Sequence, residues 1–455
     1  MKKINQSIKI FHLLLLVTFG SLIAFGQDKP APYELNIGGV KVIVQPSGNE
    51  IVEIQTVIKG GVQNYSVAQQ GIESLAINAL TECGNKKMDK NAFKNELDKV
   101  SAQIGGNSGK DYSTISLNCI KSDFSKVWPL YVDAITEPVF NKDEFERIKQ
   151  DAINELRSQE SQPDYSIDNM AKQAAFAGKD YAKRPEGTVA TVTNITAELA
   201  KAYYASILTR SRMVIVVVAS LSKDEIEASI EALLASIPQG KAFELKKGTV
   251  HPVAASFKAE KKALATNYIQ GVTSAPEPGS ADYNAFVLAM RIFSQRHFLE
   301  VRTNNGLSYA PGSWFDGGAS PTANISVSTT NPNKYIGVVK SLIEKTKTQG
   351  FTEEELKDIK TGYLTSFFYR QETNSAQANA LAMNEVLHNN WKRSVTISDD
   401  MKKVSLKELN ATFNKYFNNI VWVYQGNPTQ VNPALFKGPA KPQLPKSKVV
   451  KQKKN

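Results

Sequence analysis

Along residues 70–84, QGIESLAINALTECG, apolar side chains recur at Ile72, Leu75, Ala76, Ala79 and Leu80. That is the i, i+3, i+4, i+7, i+8 spacing of a helix that buries one face. Upstream, 33–44 and 51–59 read as strands, and the strict alternation over 112–120 reads as a strand with one buried side. A helix is predicted over 90–103, and the helical period returns over 124–136, 142–159, 167–177 and 223–236. The order then repeats: a strand at 265–272, a long helix over 282–303, hairpin strands at 308–315 and 323–329, and helices over 334–348 and 353–369. Strands followed by a helical cluster, twice over, predict an α+β fold in two halves, each a sheet packed with helices.

A faint internal repeat supports two homologous halves. ITAELAKAYYASILTRSRMVIVVVAS, from Ile195, and VSLKELNATFNKYFNNIVWVYQGN, from Val404, share a capped amphipathic helix ending in paired aromatics, a short turn and a Val-rich strand. Each would close one half. The stretch 238–263, marked by Pro, Gly and lysine, reads as the linker between domains at 27–237 and 264–436.

The chain starts MKKINQSIKIFHLLLLVTFGSLIAFGQDKP: basic residues, an apolar run and small residues before Gln27. This predicts a secretory signal peptide over 1–26, and in a bacterium delivery to the periplasm or beyond. No later stretch approaches the roughly 18 to 20 apolar residues of a membrane span. The net charge of +11 is concentrated at the ends, with three lysines in the leader and seven from Lys437 onward, both free of acids. Without those ten charges the body stands at +1, so the charge gives no ground for a nucleic-acid partner. The Pro- and Lys-rich end, 437–455, has the composition of a disordered basic tail. Cys83 and Cys119 leave a disulfide and two buried thiols both open.

Ser74, Ile77 and Asn78 share a face of the 70–84 helix, at the spacing where an inverted zinc motif, H-x-x-E-H, carries two imidazoles and a carboxylate. After Asn78 come 76 residues and then Glu155, in the helical run DEFERIKQDAINELRSQE, and the preceding strand ends Lys59-Gly60-Gly61. In these features the chain resembles the pitrilysin/insulinase family of zinc peptidases. In that register Ser74 and Asn78 stand for the two ligand histidines, Ile77 for the general-base glutamate, and Glu155 alone matches, as the distal ligand. The resemblance therefore implies a lost zinc site and no cofactor in this chain. The histidines agree: His12, His251, His297 and His388 include no pair at i, i+3 or i+4, so no helical two-His site can be written. By itself Glu155 reads as a solvated helix residue, since one carboxylate does not hold zinc.

The second half has its own candidate. FSQRHFLEVRTNNGLSYA places Arg302 at a helix end, Gly306 at the helix stop and Tyr309 at the start of the next strand. This is similar to the C-terminal half of the same family, where an Arg and a Tyr seven positions apart face the zinc site across a chamber. Read locally, the same residues are a cation on a helix dipole, a left-handed cap and an ordinary strand tyrosine. As donors, a guanidinium and a phenol suit a peptide carbonyl and the oxyanion formed from it. Ser294, Arg296 and His297 lie on the same helix, and a hydrogen-bonded structural role is expected for His297. No G-x-S-x-G elbow, P-loop or G-x-G-x-x-G fingerprint competes.

Some smaller members of the family work as pairs of different chains, and this chain resembles the kind that lacks the zinc motif. The resemblance implies a non-zinc subunit that closes a chamber around an extended peptide, with Arg302 and Tyr309 as its substrate- and oxyanion-binding residues and with zinc carried by a homologous partner. The alternative is a pseudopeptidase that grips peptides or acts as a scaffold without turnover. A third reading, a metallopeptidase with unrecognised ligands, conflicts with the histidine inventory.

Overall fold

The structure is a computed structural model that describes residues 31–438; the leader at 1–26 and the tail beyond Gly438 lie outside the described residues. In the first half the elements are β1 (Tyr33–Ile37), β2 (Val40–Pro46), β3 (Ile51–Lys59), α1 (Ile72–Glu82), α2 (Lys90–Asp98), β4 (Gln103–Ser108) and β5 (Tyr112–Ile120). They are followed by α3 (Phe124–Thr136), α4 (Lys142–Ser161), α5 (Pro163–Ala175), α6 (Val189–Thr193), α7 (Ala197–Ile207), β6 (Met213–Ala219) and α8 (Lys223–Leu234). The second half has β7 (Ser256–Lys261), β8 (Asn267–Ser274), α9 (Tyr283–Phe298) with a π-helical extension at Leu299–Asn304, β9 (Gly312–Asp316) and β10 (Thr322–Thr329). It ends with α10 (Pro332–Gln349), α11 (Glu353–Tyr369), α12 (Asn374–His388), α13 (Arg393–Lys403), α14 (Leu406–Tyr416), β11 (Val421–Gly426) and α15 (Ala434–Lys437).

The two sheets have one plan. The first runs β1-β2-β6-β3-β5-β4 and the second β7-β11-β8-β10-β9. In each, the Val-rich strand of the repeat is parallel to one neighbour, β6 to β2 and β11 to β7, and antiparallel to the next. The helices that deliver those strands are capped alike: Thr196 accepts from the Leu199 N–H, and Ser405 forms a capping box with Glu408. β6 is buried at every position, which is why it reads as a continuous apolar run rather than an alternating one.

The hairpin strand expected over 308–315 opens only at Gly312, and three further segments depart from the sequence reading. The strand expected over 33–44 is a hairpin, because Gly38 (φ 56) and Gly39 (φ 82) take the left-handed pair of a two-residue turn. The helix expected to reach residue 103 stops at Asp98, Ser101 turns the chain at φ 51, and Gln103 opens β4 against β5. The 238–263 segment is only partly a connector: Gln63 and Lys246 exchange two hydrogen bonds, at 2.8 and 3.0 Å, and 256–261 forms β7.

The halves also trade a helix. In α5, Ile167, Met170 and Ala171 pack not on their own sheet but against Val272 and Val423 of the second sheet. In α12, Ala378, Leu381, Ala382, Val386 and Leu387 join the core of the first sheet. Both faces follow helical spacing, and both are seated by polar contacts. Ser375 Oγ donates to Glu53 at 2.7 Å, Gln55 to Asn379 at 3.0 Å, Asn374 Nδ2 to the Ile51 carbonyl at 2.6 Å, and Lys41 pairs with Glu385 at 2.7 Å. Reciprocally, Gln270 donates to Asp168 and Gln425 to Ser166, each at 3.0 Å. Each sheet therefore keeps a buried face only while the other half is folded.

Candidate functional site

Helix α1 packs on β4, α7 and α4, and this fixes what the motif face can do. Ile77 is fully buried against β4, where a Cβ added to Gly106 would lie 2.3 Å from Ile77 Cγ2. The position of the general base is thus filled by a branched alkyl group seated on a glycine. Ser74 is partly buried and Asn78 exposed. Glu155, exposed on α4, accepts a hydrogen bond from Gln159 Nε2 at 2.8 Å. One carboxylate, a hydroxyl, a carboxamide and an alkyl chain do not make a donor set for zinc, and among the described residues no cluster of three His, Cys, Asp or Glu side chains has metal-binding geometry.

Periodicity missed the titratable centre of this region. Glu73, beside Ser74, is completely buried and accepts from Ser113 Oγ at 2.5 Å, from Asn64 Nδ2 at 3.1 Å and from the Tyr203 hydroxyl. Burial pushes its carboxyl pKa up, against the pull of those donors and of Arg212. It ties α1 to β5, α7 and the loop after β3. A carboxylate next to Ile72 on the apolar side of an amphipathic helix was the signal that marked it.

Arg302 and Tyr309 come together. The Arg302 Cζ lies 4.1 Å from the Tyr309 ring centroid and 5.0 Å from that of Phe298, so the guanidinium stacks between two rings. The local backbone explains this. Arg302 sits in the π-helical turn that ends α9, a feature common at functional sites, and Gly306 (φ 59) reverses the chain while its N–H and that of Leu307 close on Arg302 O and Val301 O. Tyr309 lies in a bend three residues before β9, not at the strand start as expected, and is 79% exposed. The Arg302 guanidinium makes no hydrogen bond or ion pair among the described residues, and no such bond connects the pair to α1 or α4. Stacking occupies the face of the guanidinium and leaves its N–H edge free to donate.

Other sequence candidates are structural. His297 is buried, with Nδ1 2.8 Å from Ser313 Oγ and Nε2 3.1 Å from Tyr335 OH, and burial pushes its pKa down to about 3. Arg296 forms a two-pronged pair with Glu355, both contacts at 2.7 Å. Cys83 and Cys119 are free, buried thiols whose pKa values burial pushes up to about 12 and about 11. No described helix is long and apolar enough to cross a membrane.

Comparison with known proteins gives two family models that meet before α7, within the first half. The model of the insulinase family, peptidase family M16, matches residues 41–188, and that of the peptidase M16 inactive domain matches 194–363. The Helicobacter pylori protein named non-peptidase homolog YmxG is 23% identical over 416 residues, covering 87% of this chain and 94% of the relative. The crystal structure of a peptidase M16 inactive domain from Pseudomonas fluorescens has the same fold at a TM-score of 0.80 and 19% identity, over 89% of this chain and 100% of that one. The periplasmic protease PqqL of Escherichia coli matches at a TM-score of 0.74 and 15% identity over 90% of this chain but 47% of its own, so the whole fold described here corresponds to about half of that protein. With two models of the family matching 41–188 and 194–363 in succession and the duplicated α+β plan intact, the chain belongs to the insulinase family of peptidases, family M16.

Proposed function

We propose that this chain is the metal-free subunit of a secreted, periplasmic heterodimeric peptidase, in which a homologous partner carries the intact H-x-x-E-H motif and zinc. The observation that carries the reading is the Arg302–Tyr309 stack: a cation held between the Tyr309 and Phe298 rings with its N–H edge free of hydrogen bonds among the described residues, beside an exposed phenol. Its role is to close the chamber on an extended peptide and donate to the scissile carbonyl oxygen, in bonds that strengthen as that oxygen becomes an oxyanion. The reciprocal helix exchange supports it, because a pair of donors is useful only on a frame that holds position. The apolar leader at 1–26 supports export.

Co-purification with a homologue bearing the intact motif, followed by cleavage of an unstructured peptide, tests this. The isolated chain is expected to be inactive and the mixture active. In the complex, Arg302→Ala or Tyr309→Phe is expected to lower turnover on the order of 100-fold, the weight of one preorganised donor, with an unchanged melting temperature. Normal turnover by the folded double variant would favour a second reading, a peptide-gripping or scaffolding pseudopeptidase, to which the name of the Helicobacter relative lends support.

A further inference from the structure

The turn between β4 and β5 opens onto a cavity of about 260 Å³ that α5 and the segment 181–186 also line. Lys110, Lys172, Lys183 and Arg184 bring four cations to its wall, and Asp168 and Glu186 bring two carboxylates. All but one of these charges are engaged. Lys172 pairs with Asp168 at 2.6 Å, Arg184 with Glu186 at 3.1 Å and Lys183 with Asp180 at 2.8 Å. Gln270 and Tyr165 donate to the same two lining acids. The exception is Lys110, whose ammonium makes no hydrogen bond or ion pair among the described residues and lies 5.2 Å from the centroid of the Tyr181 ring.

The backbone fixes this lysine in place. The Val62 N–H donates to the Lys110 carbonyl at 2.9 Å, and the Gly60 N–H to that of Asp111 at 2.7 Å. A Cβ on Gly61 would stand 2.3 Å from the Lys110 carbonyl oxygen, so the loop after β3 lies flush against the turn. On the other side the Asp111 carboxylate accepts from the Tyr181 hydroxyl and, at 3.2 Å, from the Ala319 N–H of the second half. Lys110 is half-buried, and burial first and the Lys172 charge second push its pKa down, against the pull of Asp316, Asp168 and Asp111, none of them within ion-pair distance. An ammonium kept from water without a paired counter-charge costs stability in the empty protein, and an anion entering the cavity offsets that cost.

We propose that this cavity binds the carboxylate of a single amino-acid residue against the Lys110 ammonium, presented as the C-terminus of a peptide or as a free amino acid. One unpaired cation matches the single charge of a carboxylate and not the two charges of a phosphoryl group. The volume falls below the roughly 300 to 1,000 Å³ of pockets that take drug-sized ligands, which suits one residue. The lining suits the rest of such a ligand. The Asn169 carboxamide offers a donor and an acceptor to a peptide unit, and Asp168 and Glu186 offer acceptors to an α-ammonium.

Calorimetric titration of the full chain at low ionic strength tests this, with N-acetyl-alanine, alanine, N-acetyl-alaninamide and inorganic phosphate as probes. An acid is expected to bind at one site per chain, and the amide, which lacks only the carboxylate, far more weakly. Tighter binding of N-acetyl-alanine than of alanine would identify a peptide end, and the reverse order a free amino acid. Lys110→Gln is expected to weaken binding about tenfold or more, the effect of one charge-assisted contact, whereas Lys110→Arg, which keeps the cation, should stay within a few-fold of wild type. The tighter-binding acid should raise the melting temperature of wild type and of Lys110→Arg but not of Lys110→Gln. No binding of either acid at millimolar concentration, equal binding of the amide, tighter binding of phosphate, or unchanged affinity in folded Lys110→Gln would overturn the proposal. The titration involves no partner chain, so its failure would leave the peptidase reading untouched.

Discussion

The exchange of α5 and α12 makes a specific demand on stability. Leu381 belongs by sequence to the second half, but it is 3% exposed inside the core of the first sheet, on a helical face with Ala378, Ala382, Val386 and Leu387. Truncating it to alanine removes buried methyl groups from a face clamped by Asn374, Ser375, Asn379 and Glu385, where collapse around the gap is restricted. Leu→Ala at such sites costs about 2 to 5 kcal/mol, a large share of the roughly 5 to 15 kcal/mol that usually separates folded from unfolded. Hydrogen exchange measured by mass spectrometry reads where the loss falls. In Leu381→Ala, amides of β3 and β6 in the first sheet should lose protection by an amount comparable to the global destabilisation. Loss of protection confined to β8, β10 and β11, with β3 and β6 as protected as in wild type, would refute the idea that each half completes the other.

Metal analysis after dialysis should find no stoichiometric zinc, since Ser74, Ile77 and Asn78 supply no ligand pair; near one zinc per chain, lost on Glu155→Gln, would sink that reading. Acid should destabilise the protein through its buried imidazoles. The folded state holds His297 neutral to about pH 3 and His388 to about 4, whereas the unfolded chain protonates both near 6.5. Their contribution is therefore complete above pH 6.5 and is lost as the pH falls toward 4 and 3. His297, fully buried, should contribute about 1.4 kcal/mol per pH unit in that window, and partly solvated His388 less. Chemical denaturation from pH 7 to 4 should show a shallower pH slope in His297→Asn than in wild type, and equal slopes would contradict the assignment. A thiol reagent should label neither Cys83 nor Cys119 in the native protein and both in denaturant, because burial opposes the thiolate at each site; fast native labelling of either would show that its helix or strand opens.

Much of this protein was legible along the chain. Local pattern placed β3, β5, α3 and α11 with their observed bounds. Local patterning also exposed the Val-rich strands that close each half. Composition of the motif face was enough to disqualify Ser74, Ile77 and Asn78 as a zinc set, since ligand chemistry resides in the side chains whatever the fold. Other features depended on groups far apart in sequence. The apolar faces of α5 and α12 have ordinary helical spacing, and spacing does not say which sheet a face will cover; that was decided by the fit of Ile167 and Met170 to Val272 and Val423, and of Leu381 to the first core. Glu73 could be seen as an anomaly on its helix, but its donors, Asn64, Ser113 and Tyr203, come from three other elements. Arg302 and Tyr309 were visible as a pair seven residues apart, yet their stacking required the π-helical turn and the reversal at Gly306, which shift Tyr309 off the strand and over the guanidinium. A chain's own pattern determines local structure because backbone geometry is local, whereas contacts between distant faces are settled by shape and charge complementarity that exists only once the chain has folded.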